Sequence, residues 1–125
     1  MDREELLERY AAGKRDFRGV IFQHINLDGI ELEGTDFTGA IFNNVGKGIS
    51  FGSIFVNCNF SCSEWWFCVV PKLVRCNLQY AVMEGCLFGW EFIDCDWRFG
   101  QIEGAYFDDF VFEECDLREM RWIRM

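Results

Sequence analysis

One large apolar residue recurs at every fifth position over the early part of the chain. The positions are Phe17, Phe22, Leu27, Leu32, Phe37 and Phe42, and the residue two places before each is mostly small or aliphatic. A period of five matches neither an amphipathic helix, at 3.6 residues, nor a strand, at two. The pattern instead predicts a solenoid that turns a corner every five residues, with both apolar positions facing a narrow interior.

The pattern continues through almost the whole chain after about residue 14. The central position is continued by Phe60, Leu78, Met83, Phe88, Phe92, Trp97, Ile102, Phe107, Phe112, Leu117 and Trp122, and the position before it holds Asp16, Asn26, Asp36, Asn59, Asn77, Asp96 and Asp116. These residues resemble the pentapeptide-repeat family, whose loose pattern is a small residue, Asp or Asn, Leu or Phe, and two polar residues. The opening segment, ELLERYAAGKRDF, is similar to that of many cyanobacterial members. The resemblance implies an all-β solenoid, a right-handed quadrilateral β-helix of about five coils with four repeats in each.

Stacked coils place residues about twenty apart on one face. Our alignment predicts one column from Phe17, Phe37, Phe60, Met83, Ile102 and Trp122, and a second from Leu32, Phe55, Leu78, Trp97 and Leu117. The inner positions beside the second column would be Ile30, Ser53, Cys76, Cys95 and Cys115. Three thiols would therefore stack on one another.

Two segments are expected to close the ends of the solenoid. Residues 1–13 predict a capping helix, begun by Asp2, ended by Gly13, and covering the first coil with Leu6, Leu7, Tyr10 and Ala11. Residues 14–125 would form the β-helix. At its far end Trp122, Ile123 and Met125 have no evident polar cap, which predicts either a plug or a weak homodimer through the C-terminal coil.

The five-residue period slips at three places, which the alignment puts at one corner. They lie between Phe42 and about Phe51, between Trp65 and Leu73, and between Phe88 and Phe92. Near this corner we expect Trp66, Phe67, Trp90, Glu91, Asp94, Asp108, Asp109, Glu113 and Glu114. Residues 84–119 hold eleven acidic and two basic residues, so they account for all of the net charge of −9. The corner is either a solvated acidic face or a docking patch for a basic partner with aromatic anchors.

Several functional classes are disfavoured by the sequence. The single histidine, His24, has no nucleophile placed beside it, and the cysteines have no zinc-like spacing. Inward positions are expected for Cys58, Cys68, Cys76, Cys86, Cys95 and Cys115, and an outward one for Cys62. We therefore expect no enzyme activity, no metal and no cofactor. The acidic charge argues against direct nucleic-acid binding, and no apolar run is long enough to span a membrane. A cytoplasmic protein is expected.

Two main functions remain open. The first is a noncatalytic protein–protein interaction module, a rigid rod with flat and acidic or aromatic faces for an unidentified protein partner. The second follows from the resemblance alone: some family members, including fluoroquinolone-resistance proteins, are acidic rods that mimic DNA and bind DNA gyrase, so the chain would regulate gyrase or a related topoisomerase. A redox-responsive scaffold that uses the thiol column is a third hypothesis.

Overall fold

The computed structural model describes residues 1–45, 52–86, 90–104 and 110–123, without the side chains of Trp90 and Phe110. It begins with helix α1, Arg3–Ala11. The carboxylate of Asp2 accepts a hydrogen bond from the Glu5 amide at 2.8 Å, which caps the helix start, and Gly13 leaves the helix with φ at 86°. Both ends of the helix are as the sequence predicts.

Helix α1 covers the first coil. Leu6 is buried and Tyr10 packs against the core, whereas Leu7 and Ala11 are exposed, so the predicted apolar stripe is narrower than expected. The Tyr10 hydroxyl accepts the Glu33 amide at 3.1 Å, and the Met1 ammonium donates to the Ile21 carbonyl at 3.0 Å. These contacts satisfy backbone groups of the first coil that would otherwise form an open strand edge.

The rest of the described chain is built from short strands of three or four residues. They are β1 (Ile21–Gln23), β2 (Glu31–Glu33), β3 (Ile41–Asn43), β4 (Ile54–Val56), β5 (Glu64–Trp66), β6 (Lys72–Val74), β7 (Val82–Glu84), β8 (Trp90–Ile93), β9 (Gln101–Glu103), β10 (Phe110–Glu113) and β11 (Arg121–Ile123).

Odd and even strands form two separate parallel sheets. Sheet I has the order β1-β3-β5-β7-β9-β11, and sheet II has the order β2-β4-β6-β8-β10. A third side, which we call the bridge face, is a column of single β-bridges that joins Asp16, Asp36, Asn59, Asn77, Asp96 and Asp116. The chain is therefore a β-solenoid with one short N-terminal helix, which confirms the predicted fold class. Sheet I has six described strands and sheet II has five, so the coil count differs slightly from the predicted value of about five.

The predicted columns are wrong beyond Phe60. The column beside the bridge face runs through Phe17, Phe37, Phe60, Leu78, Trp97 and Leu117, whereas Met83, Ile102 and Trp122 belong to sheet I with Phe22, Phe42 and Trp65. The second predicted column, from Leu32 and Phe55, continues through Leu73, Phe92 and Phe112 on sheet II.

Unequal coil lengths explain this error. Successive members of the bridge column lie 20, 23, 18, 19 and 20 residues apart. Our alignment repeated the spacing of 23 after Phe60 and so moved by one five-residue unit onto the next side. The slips themselves all fall between sheet I and sheet II, as predicted: Phe42 to Phe55, Trp65 to Leu73, and Met83 to Phe92 depart from the ten residues that separate Phe22 from Leu32.

The interior is filled by the central residues of the repeats. The Phe17 and Phe37 rings stack at 5.4 Å, Phe37 and Phe60 at 5.0 Å, and Phe42 and Trp65 at 4.0 Å. These distances between ring centroids are typical of stacked aromatic pairs or shorter. The buried Trp65 indole donates to Ser63 Oγ at 2.9 Å, so its polar group is satisfied inside the core.

A second buried tryptophan explains a glycine. Trp97 Nε1 donates to the Ala81 carbonyl at 3.1 Å, and the ring occupies the space that a Cβ atom at Gly100 would need. Gly100 is therefore required by packing at an inward position where Ala40 and Ala81 stand in earlier coils.

Candidate interaction surface

The structure does not bring the predicted corner residues together. Trp66 lies on β5 of sheet I, and Phe67 follows it at the corner. Glu91 and Glu113 lie on β8 and β10 of sheet II, where Glu91 accepts an ion pair from Lys72 at 3.3 Å. The aromatic and acidic halves of the predicted patch thus belong to different sheets.

The remaining members of the predicted corner are placed as follows. Asp94 and Glu114 stand where the chain passes from sheet II to the bridge face, in a column with Gly34, Asn57 and Arg75. Asp108, Asp109 and the Trp90 side chain lie outside the described residues. The shift of one repeat unit in the alignment is again the reason that acidic residues of sheet II were placed beside aromatic residues of sheet I.

Two exposed aromatic residues that were not predicted from the sequence stand at another corner. Tyr80 and Phe99 stack at 5.2 Å with an angle of 12° between the rings, although their side chains are 56% and 47% exposed. They belong to one column at the corner that leads from the bridge face into sheet I, which we call corner 1. Its members are Gly19, Gly39, Cys62, Tyr80, Phe99 and Glu119. The available signal was an aromatic residue at a repeat position that holds glycine in the first two coils.

These aromatic residues occupy an unusual backbone conformation. Tyr80 has φ at 64°, Phe99 at 60°, and Phe67, at the corner after sheet I (corner 2), at 54°. This left-handed region suits glycine or asparagine and is rare for bulky residues. At corner 2 the position of Phe67 is occupied by Asn44 in the preceding coil and by Gly85 in the following coil, so the fold accepts smaller residues there.

Phe67 is oriented along corner 2 towards the next coil. A Cβ atom at Gly85 would come within 2.5 Å of the Phe67 ring, so the ring lies against the backbone that ends β7. Tyr80 stands two residues before β7 begins. Strand β7 is therefore flanked by an exposed aromatic ring at each end, and Phe99 extends this surface to β9.

Three carboxylates on the same sheet have no basic partner within the part of the chain that the structure describes. Glu84 on β7 pairs in register with Glu103 on β9, and Glu64 lies on β5. Among the described residues, none of these three carboxylates makes an ion pair or a side-chain hydrogen bond. Neighbouring strands are about 4.8 Å apart, so Glu84 and Glu103 place two like charges side by side.

The acidic residues of the bridge face have the opposite character. Asp16 accepts the backbone amide and the guanidinium of Arg18, and Asp116 does the same with Arg118. The hydrogen bonds from these arginine side chains lower the pKa of both Asp16 and Asp116 to about 2. The amide contact recurs at Asn59 and Asn77, so the Asp or Asn of each repeat has a structural role in its turn.

The thiols also have a structural role. Cys58, Cys76, Cys95 and Cys115 form one inner column, so the stacking of the three predicted thiols is confirmed and extended by Cys58. The other two predicted members, Ile30 and Ser53, are wrong, because they stand before the strands of sheet II. Cys95 Sγ donates to the Leu73 carbonyl at 3.3 Å, which is typical of the column. All seven cysteines are free, and Cys62 alone is exposed, as expected. Burial raises the pKa of the Cys86 thiol and keeps it neutral.

No group of three or more His, Cys, Asp or Glu residues in the described parts of the chain could hold a metal ion. A cleft of about 300 Å³ between α1 and sheet II is lined by Tyr10, Glu31, Glu33 and Ile54 among others, without a nucleophile and base in contact. His24 is exposed at corner 2. Within the described ranges no helix has the length and apolarity to cross a bilayer.

The last described coil leaves part of its apolar surface exposed. Trp122 stands at a central position on β11, yet it is 38% exposed and meets Phe112 edge-on at 6.2 Å. Ile123 pairs with Glu103 of β9 and is half-buried. Met125, the third predicted contact residue, lies outside the described residues. Three interior residues of this coil, Phe112, Cys115 and Leu117, are likewise only partly buried.

Comparison with known proteins agrees with this geometry. The family model for pentapeptide repeats, in eight copies, matches residues 16–45. A trypsin-treated variant of QnrB1, a plasmid-mediated fluoroquinolone resistance protein, is 18% identical with a TM-score of 0.61 over 80% of this chain and 52% of that chain. Full-length QnrB1 is 16% identical with a TM-score of 0.50 over 84% of this chain and 59% of that chain.

The present chain therefore spans little more than half the length of QnrB1. Rfr23, a pentapeptide repeat protein from the cyanobacterium Cyanothece 51142, is 16% identical with a TM-score of 0.41 over 95% of this chain and 94% of that chain. No curated protein matches the sequence. Residues 16–45 therefore carry pentapeptide repeats, and the fold of the chain is similar to that of QnrB1.

Proposed function

We propose that this chain is a noncatalytic protein–protein interaction module whose binding surface is the outer side of sheet I around β7. The observation that carries the proposal is the exposure of Phe67, Tyr80 and Phe99 at left-handed corner positions. Left-handed backbone recurs at the corners throughout this fold, but the fold does not require bulky residues there, because glycine or asparagine stands at the same corners in other coils. Large rings at such positions provide contact area for a partner at low cost in side-chain entropy.

The interior supports a binding role over a catalytic one. Central residues fill the space between the sheets, so a substrate would have to bind on the outside. The outer positions of sheet I offer rings and carboxylates on rigid strands. A cytoplasmic location is part of the proposal, because free cysteines suit a reducing compartment.

Affinity capture from a lysate of the encoding organism tests the proposal. The bait is compared with Phe67→Asn and with a double variant, Tyr80→Asn with Phe99→Asn, since asparagine tolerates the corner backbone. Val111→Thr, which removes an exposed apolar contact from sheet II, is the matched control. We expect a partner that the original chain and the control retain and the corner variants lose. Equal recovery with all variants would refute the assigned surface.

A second candidate function is regulation of DNA gyrase by an acidic rod. The concentration of negative charge in residues 84–119 favours it. The pairing of Asp16 and Asp116 with arginines weighs against it, because a paired carboxylate is a poor substitute for a phosphate. Addition of the purified chain to a gyrase supercoiling assay gives the answer: inhibition or protection at a stoichiometric ratio would support this function, and no effect would reject it.

We also propose that the C-terminal coil forms a weak homodimer. The partial exposure of Trp122 and of the interior residues beside it supports this, since a second copy would bury them. Sedimentation at high concentration should show a dimer that Trp122→Ser abolishes and that added salt favours by screening the acidic coils. A monomer at every concentration and salt level would exclude it.

A further inference from the structure

We propose that the surface around β7 binds a positively charged protein segment, whose arginine or lysine side chains are held by Glu84 and Glu103 and by the rings of Phe67, Tyr80 and Phe99. This inference rests on the proposed interaction function and names the chemistry of the partner. It shares only Phe67 with the acidic corner predicted from the sequence, which the structure divides between two sheets.

Charge is the first reason to expect a cationic partner. Glu84 and Glu103 are register partners on adjacent strands and share no base among the described residues. Like charges directly opposite each other destabilise a sheet. The fold does not impose this arrangement, because the same column holds Asn43 in β3 and Ile123 in β11. A cation placed between the two carboxylates would remove the repulsion.

The aromatic rings are the second reason. The Phe67 ring lies against Gly85, which follows Glu84 in the chain. The Tyr80–Phe99 stack stands at the opposite ends of the strands, where β7 and β9 begin. A three-residue strand spans roughly 10 Å, so a side chain bound at the carboxylates is within reach of a ring on either side. Guanidinium and ammonium groups are attracted to aromatic faces, and Arg combines this contact with hydrogen bonds to carboxylates.

Sheet II shows what this surface would look like without such a role. Its outer positions on β4 and β6 hold aliphatic residues such as Ile54 and Val74, and its Glu91 is paired with Lys72. The Glu31 and Glu33 side chains on β2 make no ion pair among the described residues, but they lie on one strand and are not register partners. An acidic nucleic acid or membrane surface would be repelled by Glu84 and Glu103. A basic protein segment is therefore the occupant that fits both the carboxylates and the rings.

The test uses a fluorescein-labelled peptide of five Arg-Gly units, with binding to the full chain measured by anisotropy at physiological ionic strength. Glu84→Gln with Glu103→Gln should weaken binding about tenfold. The control, Glu31→Gln with Glu33→Gln on sheet II, removes the same charge and should change affinity less than about twofold. The double variant Tyr80→Asn with Phe99→Asn should also weaken binding about tenfold. Thermal melting verifies that each variant is folded.

Each other outcome overturns the inference. Equal weakening by the two Gln pairs would mean that the peptide reports only net charge, and absence of peptide binding would remove the basic partner. A self-association that the Tyr80 and Phe99 changes abolish would make a second copy the occupant. If the captured natural partner depends on the rings and not on Glu84 and Glu103, the interaction function stands and the cationic chemistry fails. If it depends on neither, both proposals fail.

Discussion

Aromatic rings stand at central and at corner positions in this solenoid, and the environments of these two positions are opposite. Phe60 and Trp65 are central residues with no exposed surface, packed between coils. Tyr80 and Phe99 stand two residues after a central residue, and half of their surface is exposed. The comparison shows that the place within the five-residue unit, and not the residue type, decides whether a ring supports the fold or is available to a partner.

The largest expected effect comes from a charge at an inward position. Cys95→Glu would bury a carboxylate beside the Leu73 carbonyl without a basic partner, and we expect a loss of roughly 4 kcal/mol or more in the free energy of unfolding. The same change at Cys62, on corner 1, should cost less than about 1 kcal/mol, because Glu119 already stands in that column. Chemical denaturation measures both. Similar losses at the two positions would contradict the inward register of Cys95.

Removal of a ring should destabilise the protein much more at a central position than at a corner position. Phe60→Ala leaves a cavity between Phe37 and Trp65 and should lower the free energy of unfolding by about 3–5 kcal/mol. Phe99→Ala keeps a Cβ atom on the strained backbone and loses only the stack on Tyr80, so about 0.5–1.5 kcal/mol is expected. Urea titration of both variants checks the difference, and a Phe99 effect as large as that of Phe60 would show that the corner rings belong to the core.

The interior was predictable because the period alone separates inward from outward residues. Phe17, Phe37 and Phe60 could be stacked correctly from their spacing, and the thiols were correctly placed inward. The later columns could not be predicted in this way. The coils change in length between sheet I and sheet II, but the five-residue period continues unchanged before and after each of these segments. An added or missing residue at a surface turn costs little free energy, so nothing in the repeat pattern records which coil has lost or gained residues.

The candidate surface was less predictable for a related reason. Trp66 and Phe67 could be recognised as outward aromatic residues, but Tyr80 and Phe99 required knowledge of which corner positions share a column. The pairing of Glu84 with Glu103 likewise depends on the register of β7 and β9. Contacts between coils are set by the sum of all preceding coil lengths, and an error in one of them changes every later neighbour.

The pH dependence of stability should distinguish paired from unpaired carboxylates. Arg18 and Arg118 hold the pKa of Asp16 and Asp116 at about 2, below the usual 3.8. A lowered folded pKa contributes stability that is complete above the usual value and is lost as the pH falls through about 2. The double variant Asp16→Asn with Asp116→Asn keeps the turn contact that Asn59 and Asn77 make. Its melting temperature should change less between pH 4 and pH 2 than that of the original chain.

The control for this measurement is Glu31→Gln with Glu33→Gln. These side chains are exposed on β2 and make no ion pair within the described part of the chain, so the slope between pH 4 and 2 should stay close to that of the original chain. If the melting temperature of the Asp16 and Asp116 variant depends on pH as that of the original chain does, the ion pairs of Asp16 and Asp116 do not form in solution.

The smallest expected change in stability is at the corner rings themselves. Tyr80→Asn with Phe99→Asn removes a stack worth about 0.5–1.5 kcal/mol, and asparagine relieves part of the strain of a left-handed backbone, which costs of order 1 kcal/mol at each residue. The two effects have opposite signs, so we expect the free energy of unfolding to stay within about 1 kcal/mol of the original value. Partner binding should fall at the same time. A loss of several kcal/mol would show that the rings stabilise the coil, and it would remove the physical reason for assigning them to a partner.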